Sequence, residues 1–245
     1  MLRQEKNNEN RLFLIKIEAS EGFHMQSFAL DIRDKVLLFD FDGTIVETES
    51  LAQKVIDDYF SSRNDAYRPP SHLIIGRTWQ AAVASMHAHA KEKGCELEAE
   101  AVLLNAFKTG YLQKLKEGVD LIPGFLSLVP ELKRQAKVMA IVTGSTHEEV
   151  QTILQFHKLA PFFDHIIAYG DYAMSKPDPS PFLKALEILK AEASEAIVFE
   201  DSEAGMESAT RAGLPFIQIC HESHAKVADP RAVKVLKNWT ELLLQ

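Results

Sequence analysis

Residues 35–44, which read KVLLFDFDGT, constrain the fold more than any other part of this chain. An apolar run that ends in two carboxylates and a glycine is typical of a buried parallel strand whose carboxyl end opens into a site. Asp40 and Asp42 are two positions apart, so in an extended chain their side chains lie on the same side. A proton or a bound cation then has to offset their mutual repulsion. Gly43 permits a sharp exit from the strand. The simpler alternative is a strand followed by an acidic, solvent-exposed turn.

Composition excludes several classes of protein. With 245 residues, 46% of them hydrophobic, the chain can bury a large core. A net charge of −8 and the lack of a lysine or arginine run argue against nucleic acid as a partner. No apolar stretch reaches the roughly 18 to 20 residues that span a membrane, and Leu12 to Ile17 is too short for a signal-peptide core. Cys95 and Cys220 lack metal-ligand spacing. We therefore expect a cytoplasmic protein without a membrane partner, as a monomer or weak dimer.

The chain divides into three predicted regions. Residues 1–34 form an N-terminal extension of uncertain role, in which residues 1–24 are either an accessory segment that pairs with a sheet edge or precede a start at Met25. Three stretches, 50–60, 78–93 and 96–116, carry apolar residues at helical spacing. Turn signals separate them, so we predict an inserted all-helical domain at 49–118. The core then comprises 35–48 and 119–245.

Beyond residue 124 helices and strands alternate, which is the pattern of a parallel α/β sheet. The predicted tail, from Ala225 to Gln245, ends in a helix at Trp239 to Leu244. The predicted strands are 137–142, 165–168, 196–199 and 215–219, and the predicted helices are 125–135, 148–158, 182–190 and 204–212.

Ligands bind beyond the carboxyl ends of the strands in an open parallel sheet. Besides Asp40 and Asp42, three polar segments occupy such positions: Thr143-Gly144-Ser145, Ser175 to Pro181 around Lys176, and Glu200-Asp201-Ser202. Ser145 and Glu148 have capping-box spacing, which predicts helix amides facing an anion. Pro177 holds Lys176 extended, and Ser180 with Pro181 predicts the start of the next helix.

These residue types suggest phosphoryl transfer. Carboxylate oxygens suit Mg²⁺, which is usually held by one or two carboxylates together with substrate phosphate. A lysine, a hydroxyl and helix amides would meet the remaining phosphate oxygens. An aspartate can act as the nucleophile through an aspartyl-phosphate.

The same four segments, in this order and with a helical insert after the first, resemble the four motifs of the haloacid dehalogenase superfamily. The resemblance runs from about Val36 to Ile219. The position of the insert is similar to that of the helical cap in the subfamily containing β-phosphoglucomutase and phosphoglycolate phosphatase. The resemblance implies a Rossmann-like parallel sheet core with an inserted all-helical cap domain that closes over the site.

The resemblance also implies a role for each motif residue. Asp40 would be the nucleophile, and Asp42 would protonate the leaving alcohol and later activate water. The phosphoryl group would be bound by Thr143 and Lys176, with Gly144 and Ser145 beside them. Mg²⁺ would be bound by the carboxylates of Asp40 and Asp201 and the backbone carbonyl of Asp42, with Glu200 either a direct ligand or a support.

The sequence favours a phosphatase over its rivals. Dehalogenases of this family lack the acid at the position of Asp42. β-Phosphoglucomutase has a histidine where this chain has Ala52, and lysine and asparagine where it has Thr146 and His147. A phosphonatase would need a cap lysine that nothing marks here. A non-catalytic phosphate-binding module would be expected to lose Asp40 or Lys176. We predict Mg²⁺-dependent hydrolysis of a small phosphorylated metabolite, such as a sugar phosphate or a phosphoglycolate-like acid.

Substrate choice is expected to lie in the cap, where the sequence is least informative. Arg77, which follows a glycine at a predicted helix start, is the candidate substrate contact. The alternative is that Arg77 is a solvated surface charge and that Trp79 lies in the core of the cap.

Overall fold

A computed structural model of the chain describes residues 28–63, 67–74, 78–221 and 227–244. The apolar segment from Leu12 to Ile17 and the candidate start at Met25 lie outside the described residues. The strands are β1 (Phe28–Leu30), β2 (Val36–Phe39), β3 (Val138–Val142), β4 (His165–Ile167), β5 (Ala196–Glu200), β6 (Phe216–Ile219), β7 (Lys234–Leu236) and β8 (Leu242–Leu244). The α-helices are α1 (Glu49–Ser62), α2 (Trp79–Glu92), α3 (Glu100–Glu117), α4 (Phe125–Gln135), α5 (His147–Phe156), α6 (Ser180–Leu189) and α7 (Glu203–Arg211).

Six strands form one parallel sheet in the order β4-β3-β2-β5-β6-β7. The segment 35–44 supplies β2, which lies between β3 and β5. Its residue Phe39 is in register with Ile141 of β3 and Phe199 of β5. Because all three strands run the same way, the residues that follow them emerge together at one edge of the sheet. The predicted α/β fold is confirmed, and β2 is at its centre.

Both faces of β2 are buried, which explains its continuous apolar sequence. Leu37 and Phe39 belong to one hydrophobic cluster and Val36 and Leu38 to the other, as the two-residue period of a strand requires. The first cluster also contains core residues of α4 and α5, and the second contains core residues of α6 and α7. The sheet is therefore covered by helices on both sides.

The helices α1 to α3 form the inserted helical unit. Gly110 lets α3 approach α1 closely, since a Cβ atom there would lie 3.0 Å from Cγ1 of Val55. The rings of Phe60 and Phe107 lie 6.3 Å apart at the centre of the unit. Its aromatic residues belong to the same hydrophobic cluster as Phe39, so the unit packs continuously with one side of the sheet. The exact domain limits at 48 and 118 stay a prediction.

The predicted C-terminal helix at Trp239 to Leu244 is wrong. Residues Trp239–Glu241 form one turn of 3-10 helix, and Leu242–Leu244 form β8, which pairs in parallel with β1. Six residues are too few for a stable helix, and the backbone groups of the last three pair with β1 instead. This pairing also places the end of the predicted N-terminal extension, at Phe28–Leu30, against the C-terminal tail. Within the described ranges, no helix is both long and apolar enough to cross a membrane.

Candidate active site

Asp40 directly follows β2 and is buried, with 7% of its surface exposed. Its amide continues the sheet by donating to the carbonyl of Phe199 at 2.9 Å. Burial raises the pKa of Asp40 well above its ordinary value, and the charge of Glu200 adds to this effect while that of Lys176 opposes it. The structure therefore places a carboxylate where its negative charge needs a cation nearby.

The ammonium group of Lys176 is a cation in direct contact with Asp40. Its Nζ atom lies 2.6 Å from Oδ1 of Asp40, 2.7 Å from Oε1 of Glu200 and 3.0 Å from the carbonyl of Val142. These three acceptors use all three hydrogens of the ammonium group. Burial by itself lowers the pKa of Lys176, but the two carboxylates raise it above its ordinary value. Lys176 is thus a permanently charged, fixed group at the strand ends.

Three buried acids, Asp40, Glu200 and Asp201, each offer an oxygen within 4.8 Å of the others. An oxygen-only donor set of this kind fits a hard divalent cation. Both oxygens of Glu200 are engaged, because Oε1 contacts Lys176 and Oε2 accepts from the amides of Asp201 and Ser202 at 2.7 Å. This arrangement favours Glu200 as a support for Asp201 and Lys176 rather than as a direct ligand.

Two glycines make room for the acids. Gly43 has a φ of +83°, and a Cβ atom there would lie 2.2 Å from Oδ2 of Asp201. A Cβ atom at Gly205 in α7 would lie 1.6 Å from Oε1 of Glu200. The expected role of Gly43 in the strand exit is consistent with this geometry, whereas Gly205 was not predicted from the sequence.

Asp42 has surroundings different from those of Asp40. Its Oδ1 accepts from the hydroxyl of Thr48 at 2.6 Å, and its Oδ2 accepts from Ser145 at 2.5 Å and from Thr143 at 3.3 Å. The carboxylate is not part of the buried group of three acids. The expected convergence of two repelling carboxylates is therefore only partial, since Asp42 is turned towards hydroxyl groups.

In the segment after β3, the role of Ser145 differs from the predicted one. Thr146 is the N-cap of α5, and Thr146 and Glu149 form the capping box that was predicted for Ser145 and Glu148. The hydroxyl of Ser145 donates to Asp42 at 2.5 Å, and the amide of Glu149 in the first turn of α5 donates to Thr146 instead of Ser145. The buried Thr143 keeps its expected position, and Gly144 is exposed between the two.

The segment around Lys176 also begins its helix differently. The helix α6 starts at Ser180, and its N-cap is Pro179, not Ser180 as predicted. Oδ1 of Asp178 accepts the amide of Ser180 at 2.9 Å and also its hydroxyl, so an aspartate turn takes the place of a serine cap.

Of the predicted site residues, only Arg77 lies outside the described residues. Trp79, its neighbour in the alternative interpretation, is half-buried, with its ring 6.0 Å from that of Phe107 and 5.5 Å from that of Tyr111. Trp79 therefore packs within the helical unit.

Sequence reasoning missed two hydroxyl groups at the site, those of Tyr172 and Thr48. The hydroxyl of Tyr172 donates to the carbonyl of Thr143 at 2.9 Å. The hydroxyl of Thr48 donates to Oδ1 of Asp42 at 2.6 Å. Thr48 could have been suspected from its position at the end of the Asp40 loop. Tyr172 carried no such signal, because Thr143 lies 29 residues before it in the sequence.

Comparisons with known proteins agree with this arrangement. Residues 37–219 match the family described as haloacid dehalogenase-like hydrolase. Protein CbbY of Rhodobacter capsulatus is 31% identical over 187 residues, which cover 74% of this chain and 82% of that protein. The validoxylamine A 7'-phosphate phosphatase of Streptomyces hygroscopicus subsp. limoneus is 28% identical over 214 residues, which cover 85% of this chain and 95% of that protein.

A solved structure is similar over almost its whole length. CbbY from Rhodobacter sphaeroides, in complex with phosphate, superimposes with a TM-score of 0.72 and 25% identity over 85% of this chain and 96% of that one. The family match includes all four polar strand ends and the helical insert that lies between the first and the second of them. The chain therefore belongs to the haloacid dehalogenase-like hydrolases.

Proposed function

We propose that this protein is a phosphatase that hydrolyses a phosphate monoester of a small metabolite through an aspartyl-phosphate on Asp40. The observation that carries the proposal is that the two carboxylates at the end of β2 have different surroundings. A buried carboxylate, Asp40, is paired with a fixed lysine, while a second carboxylate, Asp42, is held apart by hydroxyl groups. Two of the similar proteins support the proposal, namely the validoxylamine A 7'-phosphate phosphatase and CbbY from Rhodobacter sphaeroides in complex with phosphate.

The proposed reaction has two steps. In the first, Asp40 attacks phosphorus, the bond from phosphorus to the leaving oxygen breaks, and Asp42 gives its proton to that oxygen. In the second, Asp42 takes a proton from water, the water oxygen attacks the phosphoryl group, and phosphate leaves Asp40. Lys176, the hydroxyl of Thr143 and the amides after it would bind the transferring oxygens, for which Gly144 and Ser145 are suitably placed.

Asp40, Asp201 and the backbone carbonyl of Asp42 would hold Mg²⁺, with Glu200 bracing Asp201. Bound Mg²⁺ would neutralise charge on the phosphoryl oxygens. The helical unit at 49–118 would act as the cap, and Arg77 stays a candidate substrate contact there.

The test is a panel of sugar phosphates, phosphoglycolate and other monoesters, assayed for free phosphate with Mg²⁺. We expect turnover by the wild type and by Asp58→Asn, an exposed control on α1, and none by Asp40→Asn. Acid-quenched wild type should carry a phosphoryl group on the peptide that contains Asp40. Release no faster than with Asp40→Asn on every ester would contradict the proposal.

Two other outcomes would identify different functions. Conversion of β-glucose 1-phosphate to glucose 6-phosphate without free phosphate would indicate a mutase. Stoichiometric binding of an ester without turnover would indicate a binding module.

A further inference from the structure

The strand β4 and the loop after it are hydrogen-bonded to the loop after β3. The amide of Thr143 donates to the carbonyl of Ile167 at 3.0 Å, where β4 ends. The amide of Tyr169 donates to the carbonyl of Ser145 at 2.9 Å. In addition, the hydroxyl of Tyr172 donates to the carbonyl of Thr143 at 2.9 Å. These bonds fix the backbone of the loop that contains the predicted phosphate-binding residues.

Tyr172 is held in place by packing and by the turn before it. Its side chain is half-buried, and its ring packs against the hydrophobic cluster that contains Val142 and Phe182. Asp171 closes the preceding turn, because its amide donates to the carbonyl of Ala168 at 3.1 Å and its Oδ2 accepts the amide of Ala168 at 2.9 Å. Burial raises the pKa of Tyr172 above its ordinary value of 10.0. The hydroxyl therefore keeps its proton near neutral pH, and a carbonyl oxygen can only accept it.

Of the three amides in the segment 143–145, that of Gly144 has no acceptor among the residues that the structure describes. The amide of Thr143 is bonded to β4, and the amide of Ser145 donates to Oγ1 of Thr143 at 3.0 Å. Gly144 itself is exposed directly beyond β3. A backbone amide without a partner in the protein can donate to a ligand. Gly144 thus offers an N–H group to an anion at the strand ends.

The bond from Tyr172 fixes the direction of this N–H group. The carbonyl of Thr143 and the amide of Gly144 belong to one peptide unit, which is planar and trans, so the two groups point in opposite directions. The carbonyl points to the loop after β4. In the strand order β4-β3-β2, that loop and the end of β2 follow strands on opposite sides of β3. The amide is therefore directed towards the end of β2, where Asp40 lies.

We propose that Tyr172 is a positioning residue for phosphate binding, which holds the peptide between Thr143 and Gly144 so that the Gly144 amide donates to a phosphoryl oxygen. The proposal rests on the proposed function for the location of the phosphoryl group. It narrows the backbone contact in the loop after β3 to one amide. Because it concerns binding, it can be tested without turnover.

The first test measures the binding of inorganic phosphate, at a fixed Mg²⁺ concentration, to the wild type and to Tyr172→Phe. The substitution removes one hydroxyl group and keeps the ring. We expect the Kd for phosphate to rise about fivefold, because the amide stays present but loses its fixed direction. An unchanged Kd, or no binding of phosphate by the wild type, would refute the proposal.

The second test observes the amide itself by nuclear magnetic resonance. Labelling with ¹⁵N-glycine leaves 11 glycine signals, and Gly144→Ala, whose added Cβ atom meets nothing within 4 Å, identifies the signal of Gly144. Saturating phosphate should shift the proton signal of Gly144 downfield in the wild type and by less in Tyr172→Phe. Shifts of equal size would refute the positioning role, and a wild-type signal that does not move would refute the contact.

The matched control is Tyr67→Phe. Tyr67 is a buried tyrosine of the helical unit, and its hydroxyl also donates to a backbone carbonyl, that of Met86 at 3.0 Å. This variant should leave the Kd for phosphate unchanged. A rise equal to that of Tyr172→Phe would show that the effect does not depend on the loop after β3, and it would refute the proposal.

The outcomes also separate this proposal from the proposed function. If the wild type hydrolyses no ester but binds phosphate more tightly than Tyr172→Phe, the proposed function fails and the role of Tyr172 stands. If the wild type hydrolyses esters and both proteins bind phosphate equally, the proposed function stands and the role of Tyr172 is refuted.

Discussion

The chemistry of the site depends on how two neighbouring aspartates are separated. Asp40 lies in a buried group with Glu200 and Asp201, and Lys176 bridges the first two. Asp42 points to three hydroxyl groups instead. A nucleophile benefits from a cationic neighbour that opposes its protonation, while a proton donor must be able to change its charge. The separation is consistent with the two roles proposed for them.

The raised pKa of Asp40 predicts how metal-free stability depends on pH. The folded state favours the protonated carboxyl, so Asp40 costs stability progressively as the pH rises above its ordinary pKa of 3.8. Asp40→Asn cannot ionise. With EDTA present, the Tm of Asp40→Asn minus that of the wild type should therefore increase by about 3 °C or more between about pH 5 and 8.

Thermal unfolding at several pH values measures this difference, with Asp58→Asn as the control. A difference that is constant with pH, or that falls as the pH rises, would contradict the prediction. Saturating Mg²⁺ should reduce the slope, because a cation favours the ionised form.

At the scale of elements, the short C-terminal turn supports the catalytic loop. Trp239 is almost completely buried, and its Nε1 donates to the carbonyl of Thr44 at 2.8 Å. Its ring lies 4.9 Å from that of Phe199 and 5.9 Å from that of Phe39. The turn thus joins the apolar body of β2 and β5 to the loop that follows Asp40.

Trp239→Phe should destabilise the fold more than an ordinary surface change. The substitution removes the hydrogen bond to Thr44 and leaves a small cavity, so we expect a loss of about 2 kcal/mol in the free energy of unfolding. Urea unfolding measures it. Trp79→Phe, at a half-buried position, is the control and should cost about 1 kcal/mol or less. Equal losses in the two variants would contradict this account of the turn.

At the scale of the whole molecule, two chain segments connect the helical unit to the sheet. The amide of Glu47 in the first segment donates to the carbonyl of Asp120 in the second at 2.8 Å. The second segment is also held by α5, because Nε2 of His157 lies 2.6 Å from the carbonyl of Val119. The position of the helical unit relative to the sheet depends on these contacts.

Gly118→Ala should disturb that position. Gly118 has a φ of +109°, and a Cβ atom there would lie 2.4 Å from Cζ of Phe156. We expect kcat/KM to fall about tenfold, because small displacements of catalytic groups are costly. Steady-state kinetics measures the fall, and circular dichroism checks that the fold is retained.

Gly94→Ala is the matched control, since Gly94 also has a positive φ, of +71°, but open space around it. An added Cβ atom at Gly94 meets nothing within 4 Å, so the kcat/KM of this variant should stay near that of the wild type. Equal falls in kcat/KM for the two alanine variants would show that the contact with Phe156 is not responsible.

The sequence alone determined the central strand, the order of the four polar strand ends and the need for a glycine at residue 43. These features depend on local patterns, namely apolar runs, turn residues and the rule that parallel strands end at one edge. Only the tertiary structure decided which acids share a site, that Ser145 serves Asp42 while Thr146 caps α5, and that the tail pairs with β1. Each of these outcomes depends on contacts between residues that are distant in the chain. A local sequence pattern does not determine which of several possible partners the fold brings nearest.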